Sequence, residues 1–103
     1  MNEAKTAEEK EAKEKEANHI VRIGSKTDPR AAAGSLTMVL TEFGFAWMYA
    51  VGPAAVNQAT KAYIIAKGQV APLGMKIIMD PSFETILIDG QEKTRIKFEV
   101  EPR

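Results

Sequence analysis

The order of apolar and polar positions divides the chain into a charged leader and a patterned body, with the boundary near Asn18. After His19, Ile20, Val21 and Ile23 form a short β-prone run that stops at Gly24. Asp28-Pro29 then reads as a helix start, with Asp as N-cap and Pro at the first helical position. Ala32, Ala33, Leu36, Val39, Leu40 and Phe43 follow at helical spacing, and Gly44 supplies the stop. A second strand is expected over Phe45–Val51. Gly52-Pro53 breaks it and opens a second helix, with Ala55, Val56, Ala59, Ala62, Tyr63 and Ala66 on one face and Gly68 at its end.

The last third reads as β structure. Met75–Met79 is one apolar run, which Asp80-Pro81 is expected to interrupt. Phe83–Ile88 and Thr94–Val100 are alternating segments joined through Asp89-Gly90, a strong hairpin signal. Ile86 and Ile88 share a face, as do Ile96, Phe98 and Val100. The predicted order is β-α-β-α-β-β. This is an α+β, two-layer sandwich in which right-handed crossovers put both helices on one face of a mixed four-stranded sheet. Residues 19–103 are one domain, and residues 1–18 are a Glu/Lys/Ala-rich tail, expected to be disordered or a fraying helix.

Charge sharpens this division. The net charge is zero, but residues 1–18 carry four lysines against six glutamates, while residues 19–103 carry ten Lys/Arg against eight Asp/Glu. So weakly basic a body does not coat DNA through charge alone, because such binders neutralise many phosphates at once. Any affinity rests on where a few cations sit. No cysteine is present, which excludes disulfides and thiolate chemistry. No apolar run approaches the ~20 residues of a membrane span, and the charged N-terminus is unlike a signal peptide. A cytoplasmic protein without membrane contact is expected.

At this point the residues resemble a known family. Gly52-Pro53-Ala54-Ala55-Val56-Asn57-Gln58-Ala59-Thr60-Lys61-Ala62 is similar to the segment that opens the second helix of the stage V sporulation protein S (SpoVS) family. Ile64-Ile65-Ala66-Lys67-Gly68, Val70-Ala71-Pro72 with Gly74, Ile88-Asp89-Gly90 with Glu92, Thr94 and Ile96, and the ending Val100-Glu101-Pro102-Arg103 carry the same resemblance. It covers about residues 20–103. It implies an Alba-like fold, a dimer or higher homo-oligomer, and a role in sporulation or developmental gene control. The wider Alba group binds DNA and RNA through the loop after the first strand, the neighbouring helix start and the last hairpin. The charged tail is an addition to the compact form of the family. Phe45, Trp47 and Tyr49 stand where relatives tend to carry small or polar residues.

The resemblance gives each charged group two readings. Lys26 and Arg30 flank the Asp28 cap, where backbone donors favour an anion; they are phosphate contacts or ordinary loop cations. Asn57 and Lys61 lie one turn apart, facing phosphate, the other subunit or solvent. Lys93, Arg95 and Lys97 alternate on one strand face, as a basic arm or a solvated face partly offset by Glu84 and Glu92. Phe45, Trp47, Tyr49 and Val51 share a face opposite Ala46, Met48 and Ala50. These aromatics anchor a protein partner, stack bases, or are covered by the tail, a loop or the dimer mate.

No catalytic or metal constellation accompanies them. His19 is the single histidine, no serine has a histidine nearby in sequence, and the glycines form no phosphate-binding fingerprint. The reading is a non-enzymatic regulator without metal or cofactor, binding DNA or RNA weakly. The alternative is a self-assembling or adaptor protein that uses Phe45, Trp47 and Tyr49.

Overall fold

The computed structural model describes residues 5–6 and 18–103. The expected disorder or fraying of the tail therefore lies almost wholly outside the described residues. Strand β1 (Lys5–Thr6) is followed by β2 (Ile20–Ile23), α1 (Pro29–Phe43), β3 (Ala46–Ala50), α2 (Pro53–Val70), a 3-10 turn (Ala71–Leu73), β4 (Ile77–Ile88) and β5 (Gln91–Pro102). The sheet order is β1-β4-β5-β3-β2. Four strands and two helices form the expected β-α-β-α-β-β layer pair; β1 adds two residues at the β4 edge, pairing parallel with Ile86 and Leu87.

Local chemistry sets the helix ends. The Asp28 carboxylate accepts from the Arg30 N–H at 3.0 Å, which satisfies one of the donors left free in a first turn. Gly44 ends α1 at φ 83°, and its N–H donates to the Leu40 carbonyl at 2.9 Å. Gly68 does not end α2 as its position suggests. The buried stripe Ala55, Ala59, Ala62, Ala66 continues to Val70, so packing outweighs the roughly 1 kcal/mol that an interior glycine costs.

Alanines line both helices where they meet each other and the sheet, and Leu36, Leu40, Met48, Val70 and Val100 fill the centre with under 2% exposure. Asp80-Pro81 does not interrupt the chain either: β4 runs unbroken, with Pro81 opposite Phe98. A proline is tolerated on an edge strand, where its missing N–H faces no ladder partner. Asp89 (φ 51°) and Gly90 (φ 76°) both take the left-handed conformation of a two-residue hairpin turn.

Candidate functional site

Strand directions bring the elements that carry most of the candidate cations to one end. β2 and β3 run parallel, and β5 runs antiparallel to β3. The loop after β2, the starts of α1 and α2, and the Asp89-Gly90 turn therefore lie at the same end. Ala50 is the last residue of β3 to pair with β5, opposite Ile96. Gln91–Arg95 thus project beyond β3, paired with β4 alone.

Lys26, Arg30, Asn57, Lys61 and Lys93 are all exposed. Arg30 and Lys61 are brought together: with Asp28, Pro29, Ile64 and Ile65 they line an open groove of about 310 Å³. Asn57 sits one turn nearer the start of α2 and does not line the groove. Gln58, beside it, donates from Nε2 to the Ser25 carbonyl at 3.3 Å, tying the Lys26 loop to α2. Within that loop the Gly24 N–H donates to Thr27 Oγ1 at 2.7 Å. Two helix N-termini at this end add their positive dipole ends.

Arg95 departs from this group. It is 4% exposed, and it lies on the sheet face away from the helices. Its Nε and Nη2 both donate to Glu84 Oε1, at 3.1 and 2.6 Å, and its guanidinium carbon stacks 3.6 Å from the Tyr49 ring centre. A side chain held this way contacts no phosphate without first leaving its pair. The partner is readable from the turn: a two-residue loop pairs Ile88 with Gln91, and the same register brings Glu84 opposite Arg95. Lys97, next on that face, lies 4.4 Å from the Trp47 ring centre and 3.2 Å from Glu99.

The aromatic row is thus partly roofed by its own subunit. Tyr49 is 8% exposed, Trp47 is half-buried, and Phe45 remains 39% exposed. His19, which sequence reasoning set aside, completes the row. Its ring meets Trp47 edge-on at 4.8 Å and Phe45 at 5.0 Å, and its Nε2 is buried without a hydrogen-bond partner. Nothing in the sequence pattern signals that contact, because His19 precedes the strand. Among the described residues, no three His, Cys, Asp or Glu side chains are placed to hold a metal ion. Among them, too, no helix is long and apolar enough to cross a membrane.

Two layers, two helical crossovers and a projecting hairpin define an Alba-like fold. The crystal structure of ALBA1 from Trypanosoma brucei superposes with a TM-score of 0.58 at 13% identity, covering 82% of this chain and 69% of that one. The family model for stage V sporulation protein S matches residues 19–103, and the chain belongs to that family.

Proposed function

We propose that this chain is a non-enzymatic, dimeric nucleic-acid-binding protein, cytoplasmic and acting in sporulation or developmental gene regulation. The observation that supports this reading is the exposure of Lys26, Arg30, Lys61 and Lys93, with Arg30 and Lys61 lining one groove and Lys26 and Lys93 carried by the loop before α1 and by the projecting hairpin. Such a surface contacts phosphates and reads few bases, so binding is weak, salt-sensitive and tolerant of sequence. A dimer supports it by offering two such ends, and by adding burial to a domain small enough to bury only about 60–70% of its unfolded surface.

Fluorescence anisotropy with duplex DNA and with single-stranded RNA, at low and raised salt, tests it. Lys26→Ala and Lys93→Ala should each weaken binding across all sequences and each reduce the salt slope by about 1. Arg95→Met should leave that slope unchanged. No binding at low salt overturns the reading. The adaptor alternative draws less support, since Arg95 and Lys97 already stack on two of its three aromatics.

A further inference from the structure

The end of the sheet remote from the Asp89-Gly90 turn carries a second set of cations. β4 begins there and β5 ends there. The β4–β5 register pairs Ile77 with Pro102, and one step further out Lys76 stands opposite Arg103. The Arg103 N–H donates to the Lys76 carbonyl at 2.8 Å, so the two are held as direct cross-strand neighbours. Side chains so placed start about 5 Å apart, and like charges there repel. Lys67, in the last turn of α2, is the third cation. All three are exposed, and with Ala71, Met75 and Ile77 they border a concavity of about 520 Å³.

No carboxylate answers this cluster. On the open face Arg95 is paired with Glu84 and Lys97 with Glu99. Among the described residues, Lys67, Lys76 and Arg103 have no acidic group within ion-pair distance. Glu101, two pairs further in and opposite Ile78, does not line the concavity. The repulsion between Lys76 and Arg103 is therefore relieved only by solvent and by whatever anion enters.

Local structure does not claim these charges either. A lysine in a last helical turn ordinarily serves the carbonyls left free there. Here the Lys67 carbonyl accepts from the Ala71 N–H, the Val70 carbonyl from Met75 at 3.2 Å, and the Ala71 carbonyl from Gly74 at 3.0 Å. The Lys67 ammonium lies 5.5 Å from the Tyr63 ring centre. The Tyr63 hydroxyl donates to the Ile77 carbonyl at 3.1 Å, tying α2 to the first residue of β4. The three cations are thus carried by elements bonded to one another, and the concavity between them is formed before any ligand arrives.

We propose that Lys67, Lys76 and Arg103 form a binding site for the oligophosphate group of a small molecule. A guanidinium fork accepts two phosphate oxygens at once, and ammonium groups add point charges around it. A di- or triphosphate brings enough anionic oxygens to meet all three cations, whereas a single carboxylate neutralises one. The volume is in the range of small-molecule sites, and Ala71, Met75 and Ile77 offer an apolar wall to the rest of the ligand. The site stands at the opposite end of the sheet from Lys26 and Lys93, so it does not rest on the nucleic-acid reading.

Thermal unfolding of the full chain at about 0.15 M salt, with inorganic tripolyphosphate, adenosine triphosphate or sulfate, reads the site through the stability a bound ligand adds. Both phosphate compounds should raise the melting temperature, and sulfate at the same concentration should not. Equal rises with the two assign the affinity to the phosphates alone; a larger rise with the nucleotide adds the apolar wall, and either result supports the site. Lys76→Glu sets a carboxylate opposite Arg103. It should leave the melting temperature without ligand unchanged or higher, and weaken tripolyphosphate binding about tenfold or more in calorimetry. Lys26→Ala and Lys93→Ala should leave that binding unchanged. No rise with either phosphate compound, an equal rise with sulfate, binding that survives Lys76→Glu, or binding lost in Lys26→Ala or Lys93→Ala would each overturn the proposal. None of these readouts involves nucleic acid.

Discussion

The two faces of this sheet achieve burial by different chemistry. Toward the helices, β3 presents Ala46, Met48 and Ala50, each 1% exposed or less, and the helices answer with Ala32, Ala33, Ala55, Ala59, Ala62 and Ala66. Small side chains bring backbones close, and the gain is dispersion and water exclusion. Away from the helices, the same strand presents Phe45, Trp47 and Tyr49, and β5 lays Arg95 and Lys97 over two of those rings. There the shielding comes from cationic side chains whose charged heads lie over the rings and also pair with Glu84 and Glu99. One face is closed by apolar packing; the other is shielded by charged side chains held in ion pairs.

Substitutions sharpen this contrast. Met48→Ala should have the largest effect, about 2–5 kcal/mol in a urea titration, because its neighbours cannot collapse onto the void. A loss below 1 kcal/mol would mean that the helix side is not the rigid layer described above. Arg95→Met should cost less, about 1–3 kcal/mol, by leaving Glu84 without its charge partner, and a second change, Glu84→Leu, should recover most of that loss. If the double variant is no better than the single one, the pair is not the unit that holds the open face. Lys97→Ala should cost least, at most about 1 kcal/mol, and should shift the emission of Trp47, the chain's single tryptophan. Unchanged emission would remove the stacking contact.

The helix-bearing layer was legible residue by residue. Asp28-Pro29 and Gly44 bracket α1, the alanine stripe marks the buried side of α2, and Asp89-Gly90 fixes the hairpin register. Two boundaries were not legible because tertiary context overrode local preference: Val70 keeps α2 helical past Gly68, and an open edge lets β4 pass through Pro81. On the site, Lys26, Arg30, Asn57, Lys61 and Lys93 are exposed where the strand order brings their elements together. Arg95 was expected among them, because a charge at an alternating strand position reads as solvated. Its burial depends on Tyr49 and Glu84, which reach it only through strand pairing. His19 was invisible for a related reason, since it precedes β2 and meets the Phe45 and Trp47 rings only once β2 pairs with β3.

Pro81 also bears on how copies of the chain can meet. Among the described residues, β1 pairs with β4 only at Ile86 and Leu87, so the stretch from Ile77 to Phe83 has no strand partner on its outer side among them. A neighbouring copy that tried to extend the sheet there would find a missing rung at Pro81 and a carboxylate at Asp80. Head-on growth into fibrils is thereby discouraged at this margin, and association is directed to surfaces formed by side chains.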